Sequence, residues 1–129
     1  MTKEELNLRS KGTLTAAYRI HTAFGPGLLE SAYTALLVYE LRKSGLDVKT
    51  EVPVPVIYEG VKLTDVGFRI DILVNDQLVI EVKSLEKIAP VHLSQLTSYL
   101  KLSNRRLGLL INFNVESLKS GIYRRVHQF

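Results

Sequence analysis

Asp71, Glu81 and Lys83 are the residues whose types and spacing best support chemistry in this chain. They stand in two stretches, Arg69-Ile70-Asp71-Ile72-Leu73-Val74 and Leu78-Val79-Ile80-Glu81-Val82-Lys83, with the period-two alternation of strands. A hairpin with a three-residue loop at Asn75-Asp76-Gln77 puts Val74 opposite Leu78, Ile72 opposite Ile80 and Ile70 opposite Val82. Asp71 then faces Glu81, and Arg69 faces Lys83. A two-residue loop would turn Asp71 onto the apolar face, because a one-residue slip moves every side chain to the other side of the sheet. Two carboxylates directly opposite each other repel. A divalent cation offsets that cost, and oxygen ligands of this kind suit Mg²⁺ or Mn²⁺. Lys83, on the same face, can position a water or steady the charge on a phosphate. The same pattern also describes a solvated polar face with charge pairs Asp71–Lys83 or Glu81–Arg69.

Two other places bear on this choice. Glu30 falls in line with Tyr33, Leu37 and Leu41 on the apolar face of a helix. A carboxylate aimed at a core is costly unless paired or coordinated. Near a helix start it can instead interact with the helix dipole. His92, Gln95 and Tyr99 share one face of another helix, where they can hold a substrate phosphate or base, although ordinary exposed polarity explains them equally well.

The elements that must position these groups follow from periodicity and breakers. Glu4 to Phe24 has a helical pattern, and Gly25-Pro26-Gly27 interrupts it. Proline suits a first helical turn, so a second helix is expected from about Pro26 to Lys43, closed by Ser44-Gly45. Val48 to Tyr58 is rich in valine, but Pro53 and Pro55 restrict it to an edge or bent strand. Glu59-Gly60 signals a turn. Strands are expected at Val66 to Val74 and Leu78 to Ser84, and a helix from Pro90 to about Leu102. Leu107 to Phe113 is a continuous apolar run, as in a strand buried on both faces, and Gly121 to Gln128 reads as a last strand. This order predicts an α/β domain with a mixed β-sheet flanked by helices.

The 129 residues amount to one domain, 1–129. Hydrophobic residues make up 46% and charged residues 23%, a globular composition that argues against disorder. There is no cysteine, which excludes disulfides, thiolate metal sites and cysteine nucleophiles. No apolar run is long enough to cross a bilayer. Met1-Thr2-Lys3-Glu4-Glu5 does not resemble a secretory signal, so a cytoplasmic protein is the default expectation. The net charge of +4 permits a polyanionic partner without requiring one.

Gly27-Leu28-Leu29-Glu30-Ser31-Ala32-Tyr33 resembles the signature of the GxxExxY family. His21, Gly25-Pro26, the strand pair and Leu110-Ile111-Asn112-Phe113 resemble that family too, so the similarity runs from about Ala17 to Phe129. The family is placed in the PD-(D/E)XK nuclease-like (restriction-endonuclease-like) superfamily. The resemblance implies a core of helix, strand meander, helix and further strand. It also implies metal binding by Asp71, Glu81 and Glu30, with Lys83 as the catalytic lysine and the Val82 carbonyl as a further ligand. Gln95-Leu96-Thr97-Ser98-Tyr99 resembles the Gln-x-x-x-Tyr element of the exonuclease branch, which implies that Gln95 and Tyr99 steady the substrate strand. Ile70 stands where the superfamily name has proline.

The expected function is therefore Mg²⁺- or Mn²⁺-dependent hydrolysis of phosphodiester bonds, with nucleic acid as partner and DNA slightly ahead of RNA. Arg69, Lys87, Arg105 and Arg106 are expected to contact phosphates without reading sequence. Two rivals remain at this point. One is a catalytically silent module of the same fold that binds nucleic acid or a partner protein, and the other is a metal hydrolase of another phosphate ester. An open sheet edge also allows a homodimer, and no membrane partner is expected.

Overall fold

The computed structural model describes residues 1–129. Helix α1 (Lys3–Phe24) begins at a reciprocal cap, in which the Glu5 N–H donates to Thr2 Oγ1 and the Thr2 N–H donates to Glu5 Oε2. Helix α2 (Glu30–Lys43) follows, then strands β1 (Val48–Tyr58), β2 (Val61–Val74) and β3 (Leu78–Lys83). Helix α3 (Pro90–Ser103) leads to β4 (Leu107–Asn112), a single 3₁₀ turn (Leu118–Gly121) and β5 (Ile122–Val126). The five strands form one sheet in the order β1-β2-β3-β4-β5. All neighbours are antiparallel except β3 and β4, whose parallel pairing needs the crossover that α3 supplies.

Two apolar layers hold the helices to the sheet. On one face Ile72, Val74, Leu78, Ile80 and Val82 meet α1 and α2 through Ala17, Ile20, Tyr33, Leu37 and Leu41. On the other face Leu73, Val79 and Leu110 meet Leu96 and Leu100 of α3. Gly108 lets α3 come this close, since a Cβ there would lie 2.9 Å from Leu96 Cδ1. β3 and β4 are almost wholly buried because helices cover both their faces, as their continuous apolar sequence predicts.

β1 is an edge strand with register shifts around Val54, Val56 and Ile57, in agreement with the restriction imposed by its prolines. Three elements differ from the sequence expectation by two residues or more. β2 starts at Val61 rather than Val66, because Val61 to Gly67 extend the β1–β2 hairpin into solvent, where no burial pattern marks them as strand. The last strand is shorter than expected, Ile122–Val126. α2 starts at Glu30 rather than Pro26, because Gly25 and Gly27 flank that proline at φ 64° and 110° and carry the chain through a loop. No helix is long and apolar enough to cross a membrane.

Candidate active site

The β2–β3 ladder pairs Val74 with Leu78, Leu73 with Val79 and Ile72 with Ile80, as the three-residue loop predicts, and stops there. At the next rung side chains replace the backbone ladder. The Asp71 N–H donates to Glu81 Oε2 at 3.0 Å, and the Val82 N–H donates to Asp71 Oδ2 at 3.0 Å. Asp71 and Glu81 therefore face each other where the two strands part. The rungs expected beyond, Ile70 with Val82 and Arg69 with Lys83, are absent from the ladder because the carboxylates have taken the backbone donors.

The alternation of β2 also breaks at this rung. Ile70 joins Leu73 and Val79 in the α3 layer, and not Ile72 and Val74 as simple alternation requires. Directly across on β1, between the rungs Thr50–Ile72 and Val52–Ile70, Glu51 adopts φ 50°. A side chain in that region is uncommon and costs about 1 kcal/mol or more, and such strain concentrates at functional sites. Glu51 was missed in the sequence, where it is an ordinary polar residue of an edge strand.

Glu81 is only 6% exposed. Burial first, and then the charge of Asp71, push its carboxyl up to about 8, with the Lys83 charge pulling partly back. No ion pair reaches either carboxylate, and Lys83 is half-buried beside them in sequence. Glu30 is the first residue of α2 and is exposed, so it does not point into the core as its helical spacing suggests. It nevertheless lines one cleft of about 510 Å³ together with Asp71, Glu51, Leu29, Ser31 and Thr34. No three acidic or histidine side chains converge closely enough to enclose an ion by themselves.

On α3 the expected polar trio divides. The His92 Nδ1 accepts from the Ala89 N–H at 2.9 Å and so caps the helix start. Gln95 is exposed. Tyr99 stacks on Phe68 with ring centroids 3.9 Å apart and an interplanar angle of 7°. Its phenol is pushed up by burial and then by the charges of Glu81 and Asp71, which places it within their field. Arg69 and Lys87 are exposed. Arg105 bonds to Asp76, and Arg106 bonds to the Met1 carbonyl. Both arginines precede β4 at the Leu78 end of the sheet, about 17 Å of strand away from Lys83, and do not belong to this site.

Beyond Lys83 the backbone is fixed by a buried side chain. Asn112 pairs with Lys83 across β3 and β4, and its Oδ1 accepts from the Leu85 N–H at 3.0 Å while its Nδ2 donates to the Leu85 carbonyl at 2.9 Å. Asn112→Leu keeps the branch at Cγ and withdraws these bonds, together with the one that Oδ1 accepts from the Asn114 N–H. We expect a loss of about 2 kcal/mol in urea unfolding, and an unchanged midpoint would contradict this role.

The donor set fits a hard divalent cation. Asp71 and Glu81 each give one carboxylate oxygen to a backbone N–H, which leaves the second oxygen for a ligand. Mg²⁺ commonly takes one or two carboxylates and completes its shell with water and phosphate, so a two-acid centre suffices. The profile of the PD-(D/E)XK nuclease superfamily matches residues 8–126.

The chain belongs to the PD-(D/E)XK nuclease superfamily.

The mixed five-stranded sheet flanked by helices is the fold of this superfamily, and the match spans every element that borders the cleft. Nucleases of the PD-(D/E)XK superfamily generally use divalent metal ions, and membership implies a nucleic-acid partner. No curated protein and no solved structure shows a significant match to the chain.

Proposed function

We propose that this PD-(D/E)XK protein is a metal-dependent nuclease of the GxxExxY type that hydrolyses phosphodiester bonds. The observation that carries the reading is the Asp71–Glu81 pair, bonded at the parting of β2 and β3 with Lys83 two residues along. Asp71 and Glu81 would hold Mg²⁺ or Mn²⁺, and Glu30, on the wall of the cleft that Asp71 also lines, would reach the ion through its water shell. When bound, such an ion supplies Lewis-acid stabilisation of phosphoryl charge and lowers the pKa of a water.

The protein's own groups supply the rest. The two backbone N–H donors hold each carboxylate in one orientation, so little reorganisation is needed when a ligand arrives. Lys83 brings a positive charge to the phosphate or orients the attacking water. Tyr99, steadied by Phe68, and Gln95 one turn earlier offer a polar surface to the substrate strand. Arg69 offers an exposed cation to a neighbouring phosphate.

The test is cleavage of labelled linear, circular and single-stranded DNA and RNA with Mg²⁺, Mn²⁺ or chelator, beside Lys83→Ala. Metal-dependent cleavage lost in the variant supports the reading. Binding of nucleic acid without cleavage under any metal replaces it with the silent-module reading. Metal-dependent hydrolysis of small phosphate esters alone would point to a different substrate.

A further inference from the structure

Glu30 is exposed and stands at the first position of α2, where the helix holds its backbone and no side-chain contact holds its carboxylate. The loop before it, Gly25 to Leu29, sets how the chain enters that first turn. That loop is held from three sides. The hydroxyl of Tyr33 donates to the Gly25 carbonyl at 2.5 Å and accepts from the Leu28 N–H at 3.2 Å, closing the loop on itself. The Ser84 hydroxyl, one residue beyond Lys83, donates to the Leu28 carbonyl at 2.7 Å. The His21 ring contacts the Val115 carbonyl at 2.7 Å, and the Gly25 N–H donates to the His21 carbonyl, which anchors the loop's other end.

Tyr33 itself is immobilised. It is fully buried and lies flat on Phe113, with centroids 4.5 Å apart and planes within 7°. The Phe113 N–H donates to the Lys83 carbonyl at 3.0 Å. An unbroken series of contacts therefore runs from the Lys83 end of β3, through Phe113 and Tyr33, to the loop that ends at Glu30. Ser84 forms a second, shorter link between the same two places.

We propose that Tyr33 and Ser84 are positioning residues that hold Glu30 on the wall of the cleft that Asp71 lines, an assignment that rests on the nuclease reading above. In these terms Gly27 supplies the φ of 110° that the loop needs, Glu30 supplies a carboxylate facing the ion's water shell and Tyr33 supplies the clamp. Neither Tyr33 nor Ser84 touches the substrate in this role.

The experiment is Mn²⁺ binding by electron paramagnetic resonance, with amide exchange at Leu28 and cleavage measured on the same samples. Tyr33→Phe keeps the stacked ring and removes only the hydroxyl. It is expected to weaken Mn²⁺ binding about tenfold, as loss of an outer-shell partner does, and to speed exchange at the Leu28 amide. Glu30→Gln is expected to weaken Mn²⁺ to a similar degree, and the double variant is expected to fall no further than Glu30→Gln alone. Ser84→Ala is expected to follow Tyr33→Phe, with Ser84→Thr restoring binding.

Leu6→Ala controls for a purely structural effect. It opens the same core about 22 Å along α1 from His21, so it should lower the melting temperature and leave Mn²⁺ affinity unchanged. Wild-type affinity in Tyr33→Phe and Ser84→Ala, or losses that multiply in the double variant, would overturn the positioning role while the nuclease reading stands. Full Mn²⁺ affinity in Glu30→Gln would overturn it as well. Wild-type protein that neither binds Mn²⁺ nor cleaves would remove the nuclease reading and this proposal together.

Discussion

Asp71→Asn is expected to lower metal-dependent cleavage about a thousandfold or more while the fold survives. The asparagine Oδ1 can still accept from the Val82 N–H, so the contact that ties β2 to β3 is kept. The negative charge is lost, and a neutral amide is a poorer ligand for a hard cation than a carboxylate. Metal affinity should fall, and with it several kcal/mol of transition-state stabilisation. Binding of nucleic acid without metal should hold steady or tighten, because one of the acids lining the cleft no longer repels phosphate. Lys83→Ala should separate from it. Both carboxylates remain, so metal binding survives, whereas cleavage and phosphate affinity both fall. Metal titration, strand binding and a cleavage assay on each variant check the pair. Equal binding in wild type and both variants, with no metal-dependent cleavage in any of them, would leave a binding module in place of an enzyme.

These two residues were legible in the sequence because burial imposes a period. Ile72, Val74, Leu78 and Ile80 all face α1 and α2, and that shared face is enough to set the register that brings Asp71 opposite Glu81. The edge position of β1 was legible for a different reason, since proline cannot donate to a ladder. What escaped the sequence lies where the period fails. Ile70 changes layers at the rung where Glu51 takes a positive φ and the ladder parts, and an apolar residue looks the same on either face. Glu51 has no burial signature, and its positive φ is invisible in its residue type. The clamp at Tyr33 depends on one hydroxyl meeting two backbone groups, an event with no periodicity. His92 presents the same face of α3 as Gln95 and Tyr99 in sequence, yet its ring turns back to cap the helix. Pattern therefore located the acids, and local hydrogen bonding decided how they are held.

Stability of the metal-free protein is expected to fall as pH rises from about 5 to about 8, the reverse of ordinary acid denaturation. Glu81 titrates near 4.5 when unfolded and near 8 when folded, first because it is buried and second because Asp71 is charged beside it. Between those values the folded state holds a proton that the unfolded state has released. The contribution is therefore complete below about 4.5 and lost as pH rises through about 8. Its slope cannot exceed about 1.4 kcal/mol per pH unit for one group. Glu81→Gln, which is neutral in both states, should flatten the profile, and urea unfolding across this range measures it. Divalent cation and proton then compete for the same carboxylate. Binding of Mn²⁺ at pH 7 should release about one proton, and its affinity should climb toward pH 8. Calorimetric titration in buffers of different ionisation enthalpy counts that proton directly. A release near zero would mean that Glu81 is already ionised at pH 7, and a flat stability profile in the wild type would say the same without any metal present.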